Sequence, residues 1–222
     1  RSLFSAPSAS ASSKRPRISD SPSMSVRLGA ASGRGTVRVY ISDSSRSLSS
    51  GLCSTLSSNY LCYTDDPVGV NIVCIPVLTK PTLRFWWNKL AMFSEDFTVA
   101  GVVGKCLFFD LDMDIKEDPS SFLKWNGLTI LKDYWKDDLY MAPHAYDVHI
   151  NSSVITWTAG EQTHIWDHFM SNKDYFMRKY KGIDRFLVHE GLEFNTFDHG
   201  LVNSVANEFR DAPIDMYNGM KY

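Results

Sequence analysis

Apolar and polar residues first alternate at Thr36-Val-Arg-Val-Tyr-Ile41, the period-two pattern of a half-buried strand. After a serine-rich stretch to about Asn59, Tyr60-Leu-Cys-Tyr63 and Val70-Asn-Ile-Val-Cys-Ile75 read as two more strands. The period lengthens over 85–93, where Trp86, Lys89, Leu90 and Phe93 fall at helical spacing. Leu107-Phe-Phe109 is a short buried strand. Asp147-Val-His-Ile150 leads into a second, Asn151-Ser-Ser-Val-Ile-Thr-Trp157. Ile165, Trp166, Phe169, Phe176 and Met177 make 165–180 amphipathic, as one helix or a broken pair. Ile183–Val188 and the stretch from Leu192 carry no decisive pattern. Strands separated by helices predict an α/β sandwich with a mainly parallel central sheet.

Parallel α/β sheets bind ligands beyond the carboxyl ends of their strands. Three polar clusters fall at predicted strand ends: Thr64–Asp66, Asp110–Asp114 and Asn151–Ser153. The sharpest lies in Lys105-Cys-Leu-Phe-Phe-Asp-Leu-Asp-Met-Asp-Ile115, where an apolar run meets Asp110, Asp112 and Asp114 at alternate positions. Alternate residues of a strand share a face, so these carboxylates would crowd and repel. A hard divalent cation with a phosphate completing its shell would relieve that repulsion. The competing reading is a strand that runs out into an acidic, solvated loop.

Composition narrows the picture without changing it. The 222 residues are 44% hydrophobic and 13% aromatic, enough for a sizeable core in one domain. The net charge of −2 gives the whole molecule no nucleic-acid signature. Residues 1–35 differ: they are rich in Ser, Ala, Gly and Pro and carry Arg1, Lys14, Arg15, Arg17, Arg27 and Arg34 against Asp20. They read as a basic low-complexity tail before a single domain over 36–222. Lys14-Arg-Pro-Arg17 in the tail reads as a nuclear signal, as a contact for an anionic or assembly partner, or as a simply solvated run. Cys53, Cys62, Cys74 and Cys106 match no metal or disulfide framework and read as free thiols in a reducing compartment. No apolar run is long enough to span a membrane, and the start, Arg-Ser-Leu-Phe, shows no secretion signal. A cytoplasmic setting is expected, for a chain that is a processed product or a fragment.

Four segments in order carry a family resemblance: Cys62-Tyr-Thr-Asp-Asp-Pro-Val-Gly69, Phe85-Trp-Trp-Asn-Lys-Leu-Ala-Met-Phe93, Leu107-Phe-Phe-Asp-Leu-Asp-Met-Asp-Ile115 and Asn151-Ser-Ser-Val-Ile-Thr-Trp157. Ile165-Trp-Asp-His-Phe169 follows at a suitable distance. Over roughly 60–190 the chain resembles glycosyltransferase-like proteins of the nucleotide-diphospho-sugar transferase (GT-A) fold found in bacteria, phages and large viruses. The resemblance implies a metal-dependent transfer of sugar from a nucleotide-diphosphate donor to a glycan, protein or small-molecule acceptor. Asp110-Leu-Asp112 then matches the family's DxD motif: Asp110 faces ribose and metal, and Asp112 holds Mn2+ or Mg2+ against the diphosphate. Thr64 and Asp65 lie near base or ribose, Lys89 meets a phosphate, and Asn151 and Ser152 line the sugar pocket. Asp184, in Lys181-Gly-Ile-Asp-Arg-Phe186, stands for the acid of the family's Gly-Asp-Gln motif as catalytic base or substrate ligand. His199 stands for a third metal ligand near the C-terminus.

Each assignment has a structural counterpart. Asp65-Asp-Pro67 is good turn chemistry, and Lys89 reads equally as a surface lysine. Trp86 and Trp87 read as packing residues rather than a sugar platform. Asn151 and Ser152 read equally as a satisfied strand end, Asp184 as a helix N-cap, and His199 as an exposed side chain. Asn151-Ser-Ser153 is also a glycosylation sequon, expected to be unused inside a strand. The serine-rich 42–59 is a poor helix for a first βαβ unit. It supports the second function class, a non-catalytic GT-A-like structural or interaction module within a larger assembly, virion-associated where the resemblance to viral proteins holds. A haloacid-type phosphatase also opens on Asp-x-Asp, but Met113-Asp-Ile-Lys-Glu117 lacks the Gly/Thr-rich turn it needs.

Overall fold

The computed structural model describes residues 37–42, 58–64, 73–76, 83, 85–99, 101–110, 112–137, 148–207 and 211–217. The predicted tail, Asp65 and most of the serine-rich stretch lie outside the described residues. Ten strands are present among them: β1 Val37–Ser42, β2 Ser58–Thr64, β3 Val73–Pro76, β4 Lys105–Phe109, β5 Met113–Ile115, β6 Thr129–Lys132, β7 Ile150–Thr158, β8 Asn195–Thr196, β9 Val202–Ser204 and β10 Ile214–Met216. The α-helices are α1 Glu95–Val99, α2 Tyr134–Asp137, α3 Thr163–Ser171, α4 Lys173–Lys179 and α5 Ile183–His189, and 3-10 helices span Phe85–Phe93 and Pro119–Lys124. No described helix is long and apolar enough to cross a membrane.

The chain is mixed α/β, with one sheet in the order β3-β2-β1-β4-β7-β6-β8 and a smaller one in the order β5-β10-β9. The expected mainly parallel sheet does not form. The central pairs β1–β2, β1–β4, β4–β7 and β6–β7 are antiparallel, and only the outer pairs β2–β3 and β6–β8 are parallel. Antiparallel neighbours need no crossover helix between them. The alternation of strands and helices along the chain misled because β1 pairs with β4, and β4 with β7, across long insertions.

β4 is buried on both faces, and its alternation sorts the core into two clusters. Cys106 and Phe108 join Trp87, Leu90, Phe93 and the apolar sides of α3, α4 and α5. Leu107 and Phe109 join Phe122, Trp135, Phe197 and the small sheet. The Cys106 thiol is pushed up to about 12 by burial, as suits an inert core residue. Trp87, Leu90 and Phe93 recur every third residue, the spacing that aligns side chains along a 3-10 helix. In the second 3-10 helix Asp118 caps the start through Ser120 N–H (2.9 Å). Lys105 Nζ closes the end on the carbonyls of Leu123 (3.0 Å) and Trp125 (2.9 Å).

The amphipathic 165–180 segment is the broken pair, α3 and α4, divided at Asn172. α5 begins after Gly182 and closes through Gly191 N–H to Val188 O and Leu192 N–H to Leu187 O. That closure places Gly191 at φ +67°, a conformation glycine adopts without strain. Phe186 sits amid Trp87, Phe169, Phe176 and Tyr180. Glu190 then ties three helices together: it accepts from the Tyr180 hydroxyl, from Lys179 Nζ (3.1 Å) and pairs with His168 Nε2 (3.0 Å).

The Tyr180 hydrogen bond, with those of His168 and Lys179, pulls the Glu190 carboxyl from its ordinary 4.5 to about 2. A depressed carboxyl stabilises the fold at pH values above its unfolded pKa and loses that contribution as pH falls through its folded one. Glu190→Gln is expected to cost about 1–2 kcal/mol at neutral pH, allowing for solvent screening. Urea unfolding of both proteins across pH checks it. The gap should close between about 4.5 and about 2, and a pH-independent gap would rule out the ionised tie.

Candidate functional site

β7 runs antiparallel to β4, so its beginning lies beside the end of β4. Phe109 pairs with Val154, and the Asp110 N–H continues the ladder onto Ser153 O at 2.9 Å. Asn151–Ser153 therefore meet Asp110 although they open their strand rather than close it.

On the other side of β7 the ladder breaks. Ile130 of β6 pairs with Ile155, but the next residue, Leu131, pairs with Asn151. Ser152, Ser153 and Val154 fall within that bulge. The backbone groups of Ser152 find side chains instead. Its N–H donates to Asp184 Oδ1 at 3.0 Å, and its carbonyl accepts from Lys89 Nζ at 3.2 Å. Lys89 also donates to Asp110 Oδ2 at 2.6 Å, and the Ser153 hydroxyl donates to the same oxygen at 2.8 Å. Four side chains and the backbone N–H and carbonyl of Ser152 thus form a continuous polar network where the sheet opens. Lys89 is held there by the 3-10 helix, with Nζ 5.1 Å from the Phe108 ring centroid.

Four of the predicted site residues, Lys89, Asp110, Ser152 and Asp184, are brought together. Lys89 is buried, not a surface lysine. Asp184 is not the N-cap of α5; it lies in the first turn and reaches across to β7. Asn151 stands next in chain, and its Oδ1 accepts from Ser153 N–H at 2.8 Å, bracing the bulge. Thr64 ends β2, and β2 is parallel to β4 across β1, so its backbone reaches the same sheet edge two strands away.

The acidic run does not form one face. The strand stops at Phe109, and Met113–Ile115 re-enters as β5 of the other sheet. Asp112 stands at the turn between them, its carbonyl accepting from Tyr217 N–H at 2.9 Å. Asp114 lies opposite Asp215 on β10. Asp215 is answered by Asn203 Nδ2 (2.9 Å) and Lys116 Nζ (3.4 Å). His199 is exposed and lies on the Tyr134 ring, centroids 4.4 Å apart. Among the described residues no three His, Cys, Asp or Glu side chains converge as a metal group, so Asp110, Asp112 and His199 are not assembled as one set.

Two neighbours escaped the sequence reading. Ser153 was hidden because only the antiparallel register shows that it faces Asp110. Trp86 was placed among packing residues with Trp87, which is stacked on Phe169 with centroids 5.2 Å apart. Trp86 is 49% exposed. Its three-residue offset from Lys89 was the available signal.

Compared with known proteins, the chain matches no family model, and no significant match emerges among curated proteins or solved structures.

Lys89 and Asp110 are both mostly buried, so each supports the other's charge. Lys89→Met is expected to cost about 2–4 kcal/mol by stranding the Asp110 carboxylate. Adding Asp110→Asn should restore about half of that loss. A double-mutant cycle by urea unfolding measures the coupling, and a value below about 0.5 kcal/mol would show that the pair does not anchor this edge.

Proposed function

We propose that this chain is a metal-dependent transferase of the GT-A type, moving a sugar from a nucleotide-diphosphate donor to an acceptor. The observation that carries the reading is the network joining Asp110, Lys89, Ser152, Ser153 and Asp184 where the end of β4 meets the bulge of β7. The segments that suggested the family are far apart in sequence, and three of them supply its members.

The chemistry fits the reaction. Lys89 and Asp110 together carry no net charge, so a diphosphate arriving there must bring a cation. Carboxylate oxygens suit Mg2+ or Mn2+, and Asp112, next along the turn, is the residue to hold the ion beside Asp110. Such an ion would stabilise the charge that develops on the departing diphosphate. Lys89, tethered to the Ser152 carbonyl, would supply the ammonium for a phosphate oxygen. Thr64, which ends β2, is the nucleoside residue at this side of the sheet, and Asp65 is assigned to the nucleoside by the resemblance alone. Asp184 is oriented by the Ser152 N–H, as a general base or an acceptor-hydroxyl ligand must be. Asn151 and Ser152 line the sugar side. His199, engaged with Tyr134, is dropped from the ligand set.

Calorimetric titration tests the donor site. UDP with Mn2+ should bind at least tenfold more tightly than UDP alone, about 1.4 kcal/mol. Asp112→Asn should remove that metal dependence, and Asp184→Asn should retain it while abolishing sugar transfer. If neither UDP nor GDP binds with or without metal, the donor site is refuted. The non-catalytic structural or interaction module is then the surviving reading.

A further inference from the structure

We propose that Ser153 sets the ion selectivity of this site. With Lys89 it fills one oxygen of the Asp110 carboxylate and leaves the other as the single oxygen open to a cation. The site then favours a small octahedral ion, Mg2+ or Mn2+, over Ca2+. The proposal rests on the transferase reading for the presence of an ion, and adds to it the residue that chooses the ion.

Ser153 and Asp110 meet twice across the β4–β7 ladder. The Asp110 N–H donates to Ser153 O at 2.9 Å, and the Ser153 hydroxyl donates to Asp110 Oδ2 at 2.8 Å. Ser153 is itself fixed: it is buried, and its N–H donates to Asn151 Oδ1 at 2.8 Å. Backbone and side chain of Asp110 are therefore held by one rigid neighbour. Lys89 Nζ reaches the same Oδ2 at 2.6 Å. A carboxylate oxygen offers about two lone-pair sites, so these two donors fill Oδ2. Oδ1 takes no hydrogen bond among the described residues, and the Asp110 side chain is 24% exposed.

The asymmetry is what a positioning role requires. Lys89 already balances the charge of Asp110, so the serine hydroxyl is not needed for neutrality. A carboxylate held for stability alone gains as much from donors spread over both oxygens. Here both converge on one, and what the hydroxyl adds is closure of the last site on Oδ2. Without it the carboxylate could present both oxygens to a cation. Ca2+ gathers about six to eight oxygens in flexible geometry and accepts bidentate carboxylates, whereas Mg2+ demands near-ideal octahedral geometry with one or two carboxylates and keeps several waters. Mn2+ shares the preference for octahedral oxygen. A carboxylate restricted to one oxygen suits the second kind of ion.

Calorimetry on the full chain reads Mn2+, Mg2+ and Ca2+, each alone and with UDP. In the unaltered protein Mn2+ should bind, or support UDP, about tenfold or more better than Ca2+. Ser153→Ala should narrow that ratio to about threefold or less, chiefly by strengthening Ca2+. Ser153→Thr, which keeps the hydroxyl, should retain the ratio. Ser153→Cys, similar in size with only a weak donor, should behave as Ser153→Ala does and answers in its place if that variant fails to fold. A serine with a purely structural role would lower the melting temperature of Ser153→Ala and leave the ratio alone, and that result overturns the proposal. So does an unaltered protein that does not prefer Mn2+ to Ca2+, or a Ser153→Thr that narrows the ratio as far as Ser153→Ala. UDP–Mn2+ binding with a ratio indifferent to Ser153 overturns the proposal and leaves the transferase reading standing. Ion selectivity that depends on Ser153, with no UDP bound under any ion, refutes the transferase and leaves the role of Ser153 standing. If no ion binds with or without UDP, both fall.

Discussion

The antiparallel pairing of β4 with β7, interrupted on the far side of β7 by a bulge, is the constraint on which the rest of the site depends. Without the antiparallel direction Asp110 would not lie beside Ser153. Without the bulge the N–H and carbonyl of Ser152 would be spent on β6, and neither Asp184 nor Lys89 would have a backbone partner there. A buried strand cannot leave such groups unmet, because each costs about 1–3 kcal/mol when orphaned. The sheet irregularity thus creates a demand for one donor and one acceptor, and a lysine and an aspartate from two separate helices meet it. Structural necessity and a cluster of charged groups arise from the same local break.

The helices are held to that task by aromatic packing. Lys89 can be buried because the flanking residues of its 3-10 helix, Trp87, Leu90 and Phe93, lock the helix against α3 and β7. Asp184 keeps its place because Phe186, two residues on, is gripped by rings from three helices. The Glu190 tie lies at the opposite end of α5 and fixes the helix at both ends. The polar network is accordingly mounted on the densest part of the core, which suits groups that must hold their geometry.

Local pattern revealed most of the elements but not their partners. The run at Ser153–Trp157 marks a strand because both its faces are buried, and the alternation at Val37–Ile41 marks one by its period of two. Neither says that β1 lies against β4, or which way β7 runs. Short elements escaped altogether: Thr129–Lys132 is bounded by Gly127 and Asp133, and Met113–Ile115 is too brief for a period to emerge. The error over Asp110, Asp112 and Asp114 has the same origin. Their spacing shares a face only if the strand continues, and tertiary pairing with β10 made Met113–Ile115 part of another sheet. Lys89, Asp110, Ser152 and Asp184 were recognisable from family-like segments, whereas Ser153 and Trp86 needed the register and the exposure that only the folded chain supplies.

Most members of the network would be retained by selection for stability alone. Lys89 and Asp110 balance each other, Asp184 and Lys89 satisfy Ser152, and Asp215 is answered by Lys116 and Asn203. A descendant with no turnover would keep them as readily as an enzyme, so their presence does not separate the two. Trp86 contributes differently. It belongs to neither core cluster and is half exposed where the adjacent Trp87 is buried. Its indole rests on the one residue of the Lys181–Asp184 turn that lacks a side chain, so a single contact joins the 3-10 helix that carries Lys89 to the segment that carries Asp184. The two segments that satisfy Ser152 are thereby joined directly as well as through β7.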